Sequence, residues 1–389
     1  MVKKRPTIKD VALRAQVSTA TVSFVLNNRP GQIISERVKE RVWRAAEQLE
    51  YHPSASAAGL ARQRTNNVAI LFYQSAHLIS NLFYSFVIQG AIREATQREY
   101  NLIFSYVDRD YRGPADLPKV IRERNTEGVL TVQRISQEMI ADIQIRGVPV
   151  VAVDSHPIPP GVGSLQMDNR HGGALAAEHL VELGHRKIAV ITGNDHRPSV
   201  DQRVDGFLDA AVARGVPLSR SKHVVRAEHF SFGAGYAAAK RLLSQKRRPT
   251  AIFCANDEMA AGVLRAADEN ELSIPQDLSV VGFDDITLSA YMSPPLTTVG
   301  GDKERLGARA MARLLDMVEG GEQKQFREDV AVDFGSTRLD GSSFEVTAAS
   351  SRHRVIASSR RASSRRASRG HVMRTVMCDT GRSCVIRSV

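Results

Sequence analysis

Apolar positions recur along this chain with two rhythms, and the change between them falls near residue 67. Over the first fifty residues the spacing is helical. Ile8, Val11, Ala12 and Ala15 share one face, Val22, Val25 and Leu26 a second, and Val38, Val42, Ala45 and Leu49 a third. Thr7 stands where a cap opens the first helix, answered three residues on by Asp10, whose charge also favours the positive helix end. A turn at Gln16-Val17 and a cap at Ser18 open the second helix, and residues 35–49 form the third. Three such helices close a small core and leave Thr19, Ala20, Thr21, Ser23 and Asn27 outward. That small polar face offers hydroxyls to base edges and phosphates, so the spacing predicts a helix-turn-helix head that binds DNA.

From Val68 onward, strand-like runs alternate with amphipathic helices. VAILFY, NLIFSYV, EGVLTVQ and VPVVAVD are separated by helical patterns at 83–98, 115–124 and 137–145. Helices at 169–183, 199–214, 233–244 and 257–270 then alternate with KIAVIT, KHVVRA, AIFCA and LSVVGF. Two successive βαβ arrays make an α/β protein with two doubly wound parallel sheets. Ligands of such sheets bind beyond the carboxyl ends of the strands, which places the expected site in the cleft between the two. The segment joining head to core, residues 53–67, is rich in small residues; residues 54–62 fit two helical turns, weakened by Gly59, or a flexible linker.

Charge sharpens this division. The chain of 389 residues carries a formal net charge of +11. Residues 1–64 hold 12 basic against 5 acidic side chains and residues 345–389 hold 10 against 2, whereas residues 65–344 are mildly acidic, 31 against 35. A basic head suits nucleic acid. The basic tail is Arg/Ser-rich without apolar periodicity, and reads as disordered. Cys254, Cys378 and Cys384 are too few and too badly spaced for a disulfide framework or a closed zinc site. No apolar run follows the charges of MVKKRPTIKD and no stretch approaches the roughly 20 apolar residues that span a bilayer, so a cytoplasmic protein without membrane contact is expected.

Several motifs in one order carry a family resemblance: the run from Thr7 to Leu26, then Tyr51-His52-Pro53-Ser54-Ala55, then Val281-Gly282-Phe283-Asp284-Asp285, then Pro294-Pro295-Leu296-Thr297-Thr298. Across residues 5–340 the chain resembles the LacI/GalR family of bacterial repressors. The resemblance implies a head at 1–52, a hinge helix and linker at 53–67, and a periplasmic-binding-protein-like core of two lobes at 68–344. One lobe would take 68–165 with 298–320, the other 166–297 with 321–340; the tail at 345–389 departs from the family. It also implies a homodimer, with a tetramer left open, on a pseudo-palindromic operator, controlled by a small effector in the cleft. Thr7, Ser18, Thr19, Ala20, Thr21, Ser23, Phe24 and Asn27 would then face DNA, joined by Tyr51, Leu60 and Ala61, with Leu60 the wedge that enters the minor groove. Phe24 stands where arginine is common in the family, which leaves the operator preference open.

Polar residues close several core strands: Asp154 after VPVVAV, Asn256 and Asp257 after AIFCA, Asp284 and Asp285 after VVGF. Each can be a helix cap; several on one cleft point to a ligand. The resemblance puts Asp154, Arg203, Asn256 and Asp284 on sugar hydroxyls, Phe230 against the ligand ring, and Phe83, Tyr84 and Asp168 at the effector, with core packing the alternative for Phe83 and a cap on the helix that follows the alternative for Asp168. Arg197 and Ser199 stand where a purine-responsive relative binds its base, so a sugar is expected and a purine is the alternative. No nucleophile elbow, Walker loop or metal-spaced cluster is present, so neither catalysis nor a cofactor is expected. A solute-binding protein would share the lobes and cleft, but the head and the missing leader count against it.

Overall fold

A computed structural model describes residues 6–27, 33–51, 64–73, 82–108, 110–132, 135–155, 158–194, 198–321 and 325–334. The head holds three helices, α1 (Ile8–Ala15), α2 (Thr19–Leu26) and α3 (Glu36–Gln48). Their core is Val11, Ala12, Ala15, Val22, Val25, Val42, Ala45 and Ala46, with Leu26, Leu49 and Tyr51 packed partly buried around it. Val38 is only half-buried, and Ala46 takes the place expected for it.

The remaining described residues form two six-stranded sheets. In the first, β1 (Asn67–Tyr73), β2 (Asn101–Val107), β3 (Gly128–Val132), β4 (Val150–Val153), β5 (Gly163–Met167) and β11 (Arg327–Val330) lie in the order β11-β5-β4-β3-β1-β2. The second holds β6 (Ile188–Gly193), β7 (Val224–Ala227), β8 (Ala251–Cys254), β9 (Ser279–Phe283), β10 (Thr297–Gly300) and β12 (Asp333–Phe334), in the order β12-β10-β9-β8-β6-β7. The two orders match strand for strand, and every pairing is parallel except the antiparallel closing pair β10–β12. Inner strands buried on both faces explain most of the continuous apolar runs in the sequence, whereas the edge strand β2 leaves Phe104 and Tyr106 exposed.

The helices of the core are α4 (Leu82–Gln97), α5 (Lys119–Arg122), α6 (Gln137–Ile145), α7 (Asn169–Glu182), α8 (Pro198–Ala213), α9 (Arg220–His223), α10 (Phe232–Leu243), α11 (Asp257–Glu269) and α12 (Lys303–Val318). The helix expected at 115–124 shrinks to α5, with a short turn at Pro114–Asp116 before it. Pro118 is the reason: it forces Leu117 into extended backbone, at ψ 141°, and so separates the two turns. In the same way α9 takes the start of the strand expected at 222–227, leaving β7 only Val224–Ala227.

The exchange of segments between lobes also differs from expectation. Residues 298–300 belong to β10, which pairs with β9 in the second sheet, and the chain crosses to the first lobe only afterwards. There α12 packs on β3, β4 and β5, and β11 pairs with β5. Residues 327–330, expected in the second lobe, therefore complete the first; the chain then returns through β12 to β10. Backbone pairing decides this, and four-residue strands carry no pattern that names their sheet.

Three helix pairs cross at reciprocal glycines: α4 with α12 at Gly90 and Gly307, α7 with α8 at Gly173 and Gly206, and α10 with α11 at Gly235 and Gly262. A Cβ on Gly307 would stand 1.8 Å from the Val87 carbonyl oxygen, whereas one on the exposed Gly233 of α10 would meet nothing within 4 Å. Gly307→Ala is therefore expected to lower stability by about 1–3 kcal/mol through overpacking against backbone. Gly233→Ala should raise it by up to about 1 kcal/mol through helix propensity. Urea denaturation of the two variants checks the opposite signs.

Candidate functional site

Two surfaces collect the residues singled out by sequence. On the head, Gln16 adopts a left-handed φ of 55° and breaks α1 from α2, and Ser18 caps α2 by accepting the Thr21 N–H at 3.0 Å. At the start of α1 both the Thr7 N–H and the Thr7 hydroxyl donate to Asp10 Oδ2, each at 2.7 Å. Thr19 and Ala20 are exposed at the opening of α2, while Thr21, Ser23, Phe24 and Asn27 are half-buried. Two expected phosphate contacts are engaged locally. The Thr21 hydroxyl lies 2.9 Å from that of Ser18, and the Asn27 amide donates to the Ser23 carbonyl at 2.9 Å. Tyr51 packs on the head core, its N–H donating to the Ala46 carbonyl at 2.8 Å. Leu60 and Ala61 lie outside the described residues, as do residues 53–63 of the hinge expected at 53–67 and the tail.

The second surface lies at the carboxyl ends of the two sheets. Asp154 follows β4 and Asp284 follows β9, strands that hold the same place in the two sheet orders. Both have left-handed backbone, φ 53° and 107°, as does Asp285 at 49°. Non-glycine residues in this region cost of order 1–3 kcal/mol and concentrate at ligand sites. Asp154 accepts the Tyr84 hydroxyl at 2.9 Å, and Tyr84 meets Phe83 edge-on at a centroid distance of 5.1 Å. Both rings belong to the buried core, so Phe83 serves packing and Tyr84 presents its hydroxyl to Asp154.

Arg203 is the centre of the second lobe's contribution. It is 5% exposed; its Nε donates to Asn169 Oδ1 at 2.6 Å, its Nη1 to the Ala255 carbonyl at 2.7 Å, and its guanidinium lies 3.9 Å from the Phe283 ring centroid. The same Nη1 stands 3.2 Å from Asp284 Oδ1, as an ion pair rather than an aligned hydrogen bond, which leaves that enclosed carboxylate oxygen with an unused acceptor. The Thr192 hydroxyl, near the end of β6, is another buried polar atom without a hydrogen-bond partner. Phe230 lies against Gly193, where a Cβ would come within 2.5 Å of its ring. Asn256 accepts the Met259 N–H at 3.0 Å and donates to the Phe230 carbonyl at 3.2 Å, so it caps α11 and fixes Phe230 at once. Asp168 caps α7, accepting the His171 N–H at 3.0 Å. Ser199 is buried, and Arg197 lies outside the described residues.

Two residues that sequence reading passed over, Asn169 and Lys303, complete the site together with Asp257, one of the polar residues at the strand ends. Asn169 holds Arg203 in place. Lys303, buried at the start of α12, donates to the carbonyls of Asp284 at 2.6 Å and Asp285 at 2.9 Å, joining the first lobe's helix to the second lobe's strand end. Asp257, fully buried, accepts the Ile286 N–H at 2.9 Å and the Thr298 hydroxyl. A polar residue in a helix's first turn reads as a cap; a lysine in that place, where the positive helix end disfavours it, was the one available signal.

Burial pushes the Asp257 carboxyl well above the usual carboxylate range, helped by the Asp284 charge and opposed by its two hydrogen bonds. Burial also raises Asp284 against the pull of Arg203 and Lys303, with Asp154 adding to the rise, and raises Asp285 against Lys303. A carboxyl raised in the folded chain stabilises fully below its unfolded pKa of about 4, and that contribution is lost as pH rises through the folded value. Asp257→Asn is therefore expected to flatten the fall in stability between pH 5 and 7.5, where wild type loses up to about 1.4 kcal/mol per pH unit to this group. Urea midpoints at the two pH values check it.

Among the described residues no group of His, Cys, Asp and Glu could hold a metal, and no helix is long and apolar enough to cross a membrane. Residues 7–54 match the model for bacterial regulatory proteins of the lacI family, and residues 177–333 that for a periplasmic binding protein-like domain. The ribose operon repressor of Haemophilus influenzae is 33% identical over 80% of this chain and 92% of its own length. The transcriptional repressor PurR of Vibrio vulnificus is likewise 33% identical over 80% of this chain and 92% of its own. Among solved structures, the lac repressor dimer bound to operator and the anti-inducer ONPF superposes with a TM-score of 0.74 at 26% identity, covering 85% of this chain and 98% of that one. These relatives are transcriptional repressors and not enzymes. With a head of the matching type, two lobes of the matching topology and this degree of identity, the chain belongs to the LacI family of bacterial DNA-binding transcriptional regulators.

Proposed function

We propose that this regulator is a repressor of carbohydrate-utilisation genes that works in the cytoplasm as a homodimer on a pseudo-palindromic operator, with a sugar held between its lobes as effector. Thr19 and Ala20 read base edges from the exposed start of α2, and Thr7, Ser18 and Ser23 face the phosphates. The observation that carries the sugar reading is the enclosed Asp284 oxygen with an unused acceptor beside the Arg203 guanidinium. A pair of neighbouring hydroxyls satisfies both, one donating to Asp284 and the other accepting from Arg203. Asp154, poised by Tyr84, supplies a second acceptor from the facing lobe, and Phe230 supplies a flat apolar wall for a sugar ring. Family structures hold cellobiose and ribose, which agrees with this chemistry. The similarity to PurR keeps a purine as the second reading.

Sugar binding closes Asp154 and Asp284 on one ligand, and the ligand biases the lobes by its differential affinity for the two arrangements. A thermal-shift screen of the full chain against pentoses, hexoses, disaccharides and purine bases tests the reading. At a hundredfold excess over Kd a bound ligand adds about 2.7 kcal/mol of stability. A sugar hit supports it, and a purine hit with no sugar hit overturns it. Enrichment of random duplexes on the full chain tests the other half: recovery of no palindromic site would sink the operator reading.

A further inference from the structure

The first described residues after the 52–63 segment are Arg64, Thr65 and Asn66, which lead into β1 at Asn67. Glu127, just before β3, closes over all three. Its Oε1 accepts the Thr65 N–H, the Asn66 N–H at 2.7 Å and the Thr65 hydroxyl at 3.3 Å, and its Oε2 accepts Arg64 Nε at 3.2 Å. Arg64 also donates to the Tyr100 hydroxyl and rests its guanidinium 5.8 Å from that ring's centroid. The Glu127 side chain is only 16% exposed.

So dense a clamp exceeds what β1 needs. That strand is already registered on β2 from Asn67 and on β3 from Val68, and the Thr126 hydroxyl accepts the Ala69 N–H at 3.0 Å. What the clamp adds is direction. Asn66 is held in left-handed backbone, at φ 51°, so the chain turns sharply just before the strand, and two consecutive N–H groups on one carboxylate oxygen keep that turn in place. A half-buried carboxylate thus fixes the direction of the chain at Arg64 and Thr65.

The cluster also lies near the element that reaches the cleft. Arg98 pairs with Asp316 at 2.8 Å and with Glu319, at the far end of α12, and the Glu319 charge acts on both Arg64 and Tyr100. Lys303, at the near end of α12, holds the Asp284 and Asp285 carbonyls. One helix of 16 residues, about 24 Å long, thus has the effector-facing turn at one end and the linker's anchor at the other.

We infer that Glu127 is a positioning residue for operator binding: it fixes the direction in which the chain leaves the first lobe for the head, without touching DNA or effector. The inference rests on the operator-binding reading above. Its test uses the full chain, the operator enriched by wild type, a random duplex as control, and two variants. Glu127→Ala removes every acceptor, whereas Glu127→Gln keeps Oε1 for the two N–H groups. In Glu127→Ala, hydrogen exchange at Thr65 and Asn66 should lose its protection, and operator affinity should fall about tenfold while random-duplex affinity stays at its wild-type level. Glu127→Gln should restore both the protection and most of the affinity, which a merely structural role would not produce. Wild-type operator affinity in Glu127→Ala, or equal losses on operator and random duplex, would overturn the inference alone. If wild type enriches no operator, the operator-binding reading fails first and takes this inference with it.

Discussion

Arg203→Met is expected to abolish the effector-induced thermal shift and to lower stability by about 3–5 kcal/mol, the range for removing one partner of a buried ion pair. The size follows from what is left behind. Asp284 is enclosed and has Arg203 and Lys303 as the cations that oppose its desolvation, while the Asp154 charge adds to its burden. Asn169 and the Ala255 carbonyl would lose their donors at the same stroke, each a buried acceptor left with an unmet hydrogen bond. Methionine fills the volume against Phe283 but supplies none of these.

The pH dependence of that loss fixes its cause. Without Arg203 the Asp284 carboxyl rises further, so the variant binds a proton there over a wider range than wild type. Below the unfolded value, about pH 4, Asp284 is neutral in both and the deficit shrinks; it grows as pH rises toward 8 and the folded carboxyl would have to ionise unaided. Urea denaturation at pH 5 and 8 reads the difference. A deficit that is the same at both pH values would show that lost packing on Phe283, and not the orphaned carboxylate, is the source. Calorimetry with the sugar found by screening reads the functional half, where retained binding would remove Arg203 from the site.

How much of this was legible in the sequence depends on the range of the interaction. Local rules placed Ser18 before α2, Asp168 before α7 and Asn256 before α11, because a cap is decided within three residues. The twin sheets followed from strand–helix alternation, and their carboxyl ends followed from topology. What escaped were features decided across the chain. Asn169 meets Arg203 over a separation of 34 residues and Asp257 meets Thr298 over 41, and a lone polar residue in a helix's first turn announces neither. The crossings between lobes escaped for a related reason: β10 and β11 have four residues each, and only their pairing partners say where they belong. Arg203 came from family resemblance and Asp284 from its strand end as well, but the open acceptor on Asp284 is visible only in three dimensions.

Lys303 carries the second large expectation. It belongs to the first lobe through α12, yet its ammonium group sits on the carbonyls of Asp284 and Asp285 in the second, turned toward it by their left-handed backbone. Lys303→Met should therefore cost about 3 kcal/mol, from two buried carbonyls deprived of a charged donor at roughly 1–3 kcal/mol each. Because Lys303 also holds down the Asp284 and Asp285 carboxyls, its removal raises both, and the deficit should be larger at pH 8 than at pH 5. The functional effect separates this residue from Arg203. Lys303 donates to backbone and not to the open Asp284 oxygen, so effector affinity should stay within a few-fold of wild type. The change in operator affinity that the effector produces should shrink by about tenfold, since the turn that meets the ligand no longer pulls on α12. Calorimetry for the effector and operator titrations with and without it measure the two quantities separately. If affinity and coupling fell together, Lys303 would be part of the binding site; if coupling survived, the link between the lobes would have to run through the chain crossings near Asp168, Gly301 and Val332 instead.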